Sequence, residues 1–255
     1  MAWDALSAHA GFALSNGDYT ATDGGPSGWK NVRSVRSRDS GKWYFELEYV
    51  YENNSHAGLI QTERPNNEFL DTAGGWSYYS VNGLKRHNGG NAAYGPSWAA
   101  GDIIGVAVDL DAGKIWWSKN GVWVASGSPA DGTNQAFDNV TGTVHAAFAS
   151  FSSDSVTLVE DLGEFTYAPP DGFKAWNAPD VSHRVAGTVK QDGSSVSREI
   201  RVIDASNGEL LATADSIGGS FDIGLLSADP VFVQAIPAEG YRPLIKGPLT
   251  PAEIA

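Results

Sequence analysis

Apolar and polar residues alternate with a period of two along most of this chain, and no segment sustains the 3.6-residue period of an amphipathic helix. In KWYFELEYVY (42–51) the alternation sets Trp43, Phe45, Leu47 and Tyr49 on one face and Tyr44, Glu46 and Glu48 on the other. HAGLIQ (56–61), WSYYSV (76–81), IIGVAVDLD (103–111), KIWWSK (114–119), VWVAS (122–126), VHAAFASF (144–151) and VTLVED (156–161) follow. Clusters of Gly, Asn, Asp and Pro separate them. Short strands at such spacing predict an all-β sandwich or barrel.

One stretch fixes its own register. Asn120-Gly121 is a strong signal for a two-residue hairpin turn, which places Lys119 opposite Val122, Ser118 opposite Trp123 and Trp117 opposite Val124. A second two-residue turn at Ala112-Gly113 sets Asp111 opposite Lys114, Leu110 opposite Ile115, Asp109 opposite Trp116 and Val108 opposite Trp117. Both registers put Val106, Val108, Leu110, Ile115, Trp117, Val122 and Val124 on one apolar face. Asp109, Asp111, Lys114, Trp116, Ser118 and Trp123 take the other, with an Asp111–Lys114 pair across the strands. The two aspartates lack further oxygen ligands nearby, so a three-stranded meander is the better account than a metal loop. Trp117 belongs to the core. Trp116 and Trp123 are either covered by another layer, which the pattern favours, or part of a binding surface.

The pattern breaks at YAPPDGFKAWNAPD (167–180), where adjacent prolines stop regular pairing. A second strand series follows in VAGTV, REIRVID, LLATA, SFDIGLL and VFVQAIP, with turns at QDGS, SNGE and IGGS. The organisation expected is a first domain over 1–176, a linker at 177–182, a small sandwich over 183–242 and an extended proline-rich arm over 243–255.

Composition narrows function by exclusion. The formal net charge is −13 and the 17 Lys and Arg residues are scattered, which argues against nucleic acid as a partner. There is no cysteine, hence no disulfide, thiolate metal site or Cys nucleophile. The opening MAWDALSAHAGFALSNGD lacks a signal-peptide pattern, and no apolar run reaches the ~20 residues of a membrane helix. A soluble protein without membrane insertion is expected. The five histidines lie far apart, and no Gly-x-Ser-x-Gly or phosphate-loop context occurs. The expectation is a non-enzyme with no metal and no cofactor.

SGKWYFELEY, GDIIGVAVDLDAGKIWWSKNGVWVASGSP and FTYAPPDGF resemble, in order and spacing, the SPRY domain, and ALSNGDYTAT and GWKNVRSVRS fit its opening strands. VEDLGEF stands where that family usually has Asn-Phe-Gly. The resemblance implies a bent antiparallel β-sandwich that binds peptides or protein surfaces through loops at one end. The loops concerned are 61–75, 85–98 and 126–139, and the ligand-binding candidates are Arg64, Phe69, Trp76, Tyr78, Tyr94 and Trp98. The second strand series resembles a transthyretin-like or carboxypeptidase-regulatory-like sandwich, a spacer or surface module. The fold class is therefore all-β, a SPRY-type sandwich plus a small C-terminal Ig/transthyretin-like one.

Two such modules without signalling or ligase segments look like a bacteriophage virion component, tail- or fibre-associated. Its expected partners are other virion subunits and a host cell-surface protein or glycan. The alternatives are a capsid decoration subunit and a carbohydrate-binding module. Antiparallel edges and the arm also fit a homo-oligomer.

Overall fold

The computed structural model describes residues 2–51, 54–179, 183–191, 194–205, 210–218, 220–225, 230–236, 244–249 and 251–253. They divide into two compact units, Met1–Ala178 and Pro179–Ala255.

The first unit holds β1 (Phe12–Ser15), β2 (Thr20–Asp23), β3 (Lys30–Arg38), β4 (Lys42–Tyr51), β5 (Ser55–Gln61), β6 (Gly75–Tyr79) and β7 (Leu84–His87). It continues with β8 (Gly90–Ala93), β9 (Ile103–Asp109), β10 (Lys114–Lys119), β11 (Val122–Trp123), β12 (Val144–Ser150), β13 (Ser155–Val159) and β14 (Lys174–Ala175). One sheet runs β1-β2-β13-β4-β9-β10-β11, with β14 lying parallel against β4. The other runs β3-β12-β5-β6-β7-β8. Trp43, Phe45, Leu47 and Tyr49 of β4 point into one core with Val106, Val108, Ile115, Trp117, Leu59, Tyr78 and Phe148. The predicted face of β4 is the observed one, and this is a SPRY-like antiparallel β-sandwich.

Each sheet also carries a covered outer patch. On the first, Tyr44, Ala107, Trp116 and Phe173 pack together, with Trp123 and Phe165 against them. Glu46, buried on the same face, explains the cover. Its carboxylate accepts hydrogen bonds from the Thr166 and Tyr167 amides at 2.9 Å and from the Tyr44 hydroxyl at 2.8 Å. The substituted closing segment leaves pairing intact, since β13 stays in register with β4 through Val159 and Glu46. On the second sheet Ile60, Leu70, Ala147 and Ala149 lie beneath Trp29.

The meander departs from its expected form in several places. The Asn120-Gly121 turn has both residues at positive φ and the expected pairs Lys119–Val122 and Ser118–Trp123, but the expected Trp117–Val124 pair does not form, because β11 ends at Trp123 and the chain turns at Val124–Ser126. The preceding turn is longer: Lys114 pairs with Asp109 rather than Asp111, and Ile115 with Val108 rather than Leu110. Asp109 causes the shift, because its carboxylate accepts the Ala112 amide at 3.0 Å and closes a four-residue turn over 110–113. A displacement of two residues leaves every side chain on its face, so the core assignment survives the wrong register. The Asp111–Lys114 pair does not form. Asp111 accepts the Gly41 amide at 2.8 Å, Asp109 pairs with Lys42 at 3.2 Å, and Lys114 donates to the Gly132 carbonyl at 2.7 Å. Val122 is 72% exposed despite its inward parity, because β11 is the last strand of its sheet and ends after two residues.

The second unit is also all-β. It contains β15 (His183–Thr188), β16 (Lys190–Gln191), β17 (Ser194–Ser195), β18 (Glu199–Asp204), β19 (Leu210–Asp215), β20 (Ser220–Leu225), β21 (Val231–Ala235), β22 (Leu244–Leu249) and β23 (Ala252–Glu253). The sheets are β20-β15-β23, β16-β17 and β19-β18-β21-β22. Val185, Ile200, Val202, Ile223, Leu225, Val231 and Val233 form its core. The C-terminal stretch read as an arm supplies β22 and β23, which pair with β21 and β15. Asp192-Gly193 of the QDGS turn, the whole SNGE turn, Gly219 of IGGS, the end of the linker (180–182) and the 242/243 boundary lie outside the described residues.

Candidate interaction surface

The three segments singled out as loops come together in the first unit. Asp71, in the β5–β6 connection, ties that connection to the β7–β8 hairpin: its Oδ1 accepts the Gly89 amide at 2.8 Å and the Thr72 carbonyl accepts Asn88 at 3.2 Å. His87 donates from Nδ1 to the Gly75 carbonyl at 2.8 Å, which sets the tautomer of its ring. The 126–139 segment is held by the same hairpin and by β6. Lys85 donates to the Ala136 carbonyl at 2.5 Å and its ammonium lies 5.0 Å from the Phe137 ring centre. The Trp76 indole donates to Asn139 at 3.0 Å, and His87 stacks on that indole at 4.9 Å. A single contiguous surface results, its exposed members including Ala73, Asn88, Asn91, Pro96 and Asp138.

The six candidates divide by burial. Trp76, Tyr78 and Trp98 are core side chains with relative exposures of 1%, 0% and 2%. The Tyr78 hydroxyl donates to the Pro96 carbonyl, and Trp98 packs 4.2 Å from Tyr49. Their aromatic rings hold the surface from beneath rather than lying open on it. Tyr94 is half-buried, its oxygen accepts the Trp117 amide at 3.2 Å, and burial pushes its phenol up to about 12. Arg64 pairs with Glu68 at 2.7 Å, and Phe69 covers Trp29 and His56 at 5.3 and 5.7 Å. These two sit on a connection that folds back over the outer face of the second sheet. Asn31 holds it there by donating to the Pro65 and Glu68 carbonyls.

Sequence reasoning missed the β7–β8 hairpin, treating 85–98 as one loop. Asn88 and Gly89 have φ of 51° and 73°, the conformation of a two-residue turn. The Asn-Gly signal used at 120–121 was equally readable at 88–89. Trp116 is fully buried, its indole donating to the Thr133 carbonyl at 2.8 Å, and Trp123 is half-buried, so of the two alternatives left open for them the structure shows cover. Among the described residues no three His, Asp or Glu side chains gather as metal ligands, and no helix is long and apolar enough to cross a membrane.

Comparison with known proteins bears on residues 42–161, which match the family described as the SPRY domain. The ATP-dependent RNA helicase DDX1 of Xenopus laevis is 29% identical over 157 residues, 60% of this chain but 20% of the helicase, so the chain spans about a fifth of that relative. The crystal structure of the SPRY domain of human HERC1 superposes with a TM-score of 0.52 at 21% identity, over 62% of this chain and 96% of that one.

Proposed function

We propose that the first unit, whose residues 42–161 match the SPRY domain family, generally a protein-interaction module, is a non-enzymatic module that binds a protein partner. The surface built by the 71–75 end of the first segment with 85–98 and 126–139 is its contact area. The observation that carries this reading is the convergence of three polar, glycine-rich segments on a rigid aromatic base, a surface whose floor does not need to order on binding. A photo-crosslinking residue at Ala73, Asn88 or Asp138 should capture one discrete protein in the native host. The same residue at Val50 or Leu162, exposed outside the three segments, should not. Equal capture at all five positions would sink the assignment.

A more specific reading places the chain on a bacteriophage particle as a tail- or fibre-associated subunit, with the second unit as a transthyretin-like spacer. Its support is the coupling of an interaction module to a second, cysteine-free β-unit with its own core. Mass spectrometry of purified particles should then find the chain at fixed stoichiometry, and its absence there would remove the virion role while leaving the binding module untouched.

A further inference from the structure

We propose that β8 is a docking edge, onto which an extended segment of the protein partner adds as a further strand of the β3-β12-β5-β6-β7-β8 sheet. This deepens the reading of the first unit as a protein-binding module and rests on it.

The geometry of the hairpin carries the proposal. A two-residue turn at Asn88-Gly89 makes its flanking residues, His87 and Gly90, a mutually hydrogen-bonded pair, and the ladder alternates from there. Lys85 and Ala92 form the next such pair. Arg86–Asn91 and Leu84–Ala93 are the pairs between, so the N–H and C=O groups of Asn91 and Ala93 point away from β7. No hydrogen bond among the described residues reaches those four groups. β8 is the last strand of its sheet and is exposed along its whole length.

Unprotected edges of this kind are unusual, because they template pairing with another chain. Gly90, Asn91, Ala92 and Ala93 include no charge and no proline, and their register with β7 has no bulge. The opposite edge of the same sheet is guarded: the Val35 amide donates to the Ala2 carbonyl at 2.8 Å and Trp3 bridges Ser34. The bare edge also lies within the surface assigned to partner binding.

The occupant is a partner segment rather than a second copy of this chain. Pairing two four-residue edges buries far less than the ~800 Å² per partner of a stable interface, and flanking contacts would have to supply the rest. Two copies each bearing a formal −13 oppose that closer approach. A foreign strand pairs instead with the uncharged β8, one strand removed from Lys85 and Arg86 of β7, and the formal −13 of the chain favours a neutral to basic segment. Its residue next to Ala92 shares a face with Lys85, whose ammonium lies over Phe137, so a small or apolar side chain fits there. Main-chain bonds would supply affinity and that position specificity.

The probe is the acetylated, amidated pentapeptide Thr-Val-Thr-Val-Thr, titrated into the full chain and followed by amide NMR, beside a twin N-methylated at alternate residues. Saturable shifts centred on Asn91 and Ala93, with amide exchange at both slowed about ten-fold or more, are expected. The N-methylated twin should bind at least about ten-fold more weakly. Ala93→Pro removes an outward donor without touching a ladder bond, so it should weaken binding similarly while His87 and Gly90 resonances stay in place. No shift at β8 up to about 10 mM peptide, or equal binding of the twin, overturns the proposal. Shifts confined to 61–75 and 126–139 would overturn the edge yet keep the protein-binding reading. Concentration-dependent shifts at Asn91 and Ala93 without peptide would assign the edge to a second copy, against the proposal.

Discussion

Lys30 and Asp23 form an ion pair at 2.8 Å with both side chains sealed from solvent. Asp23 ends β2 in one sheet and Lys30 begins β3 in the other, so the pair pins the two layers together. The remaining valences are filled: Lys30 also donates to the Pro26 carbonyl at 3.0 Å, and the Ser150 hydroxyl contacts Asp23 at 2.6 Å. Removing one partner strands a charge in the interior, which costs far more than removing both. Asp23→Ala should therefore lose about 3–5 kcal/mol in urea denaturation, and Asp23→Leu with Lys30→Met distinctly less. Equal losses in the single and double variants would show that packing, not charge, dominates there.

His56 gives the fold a pH dependence of defined sign. Full burial, with the Arg86 charge adding, holds its imidazole well below the usual 6.5. Below that value the unfolded chain takes up a proton that the folded one refuses, so His56 makes stability fall as pH falls until its depressed folded pKa is reached. His145, also lowered by burial, acts in the same direction, whereas Glu160, pushed up to about 7 by burial, acts oppositely. The contribution of His56 is isolated by comparison with His56→Gln. The stability advantage of the wild type should shrink by about 1–2 kcal/mol between about pH 7 and pH 5. A difference independent of pH would mean that His56 takes up its proton in the fold at the same pH as in the unfolded chain.

Trp117 and Val122 share a parity on the meander but not a fate. Trp117 is fully buried against Tyr78, Tyr94 and Phe137, while Val122 is 72% exposed. Trp117→Ala should cost about 3–5 kcal/mol through the cavity it leaves. Val122→Asp should stay within about 0.5 kcal/mol. Thermal denaturation of the two variants separates them, and a large loss for Val122→Asp would place β11 under cover.

The same pair shows what the sequence could and could not reveal. Two-residue alternation assigned the faces of β4, β9 and β10 correctly, because parity depends on local backbone geometry alone. It could not see that Asp109 would cap the turn and slide the register by two, nor that β11 would be the last strand of its sheet. Both depend on side-chain and sheet-level choices outside any short window. The candidate surface was legible as three segments, since glycine-rich polar connections mark themselves. Its aromatic members misled, because Trp76, Tyr78 and Trp98 have the same composition whether they face a ligand or the floor beneath it. β8 was hidden by its small residues, which carry no alternation to read.

Asp71 is the residue through which two of those segments act as one. Its buried carboxylate accepts the Gly89 amide at 2.8 Å and lies 3.9 Å from Arg86, and burial raises its pKa while those two groups pull it back. Asp71→Ala leaves the Gly89 amide with only a 3.2 Å bond to the Asp71 carbonyl and takes the carboxylate from Arg86. The loss should be about 1–3 kcal/mol, concentrated on the hairpin rather than spread over the sandwich. Asp71→Asn keeps an acceptor at the same place and should recover part of it. Hydrogen exchange reads the distinction: the Gly90 and Ala92 amides, which bond to β7, should exchange faster in Asp71→Ala while the amides of β4 and β9 hold their protection. Uniform acceleration across both sheets would mean that Asp71 supports the whole fold and not the β7–β8 hairpin in particular.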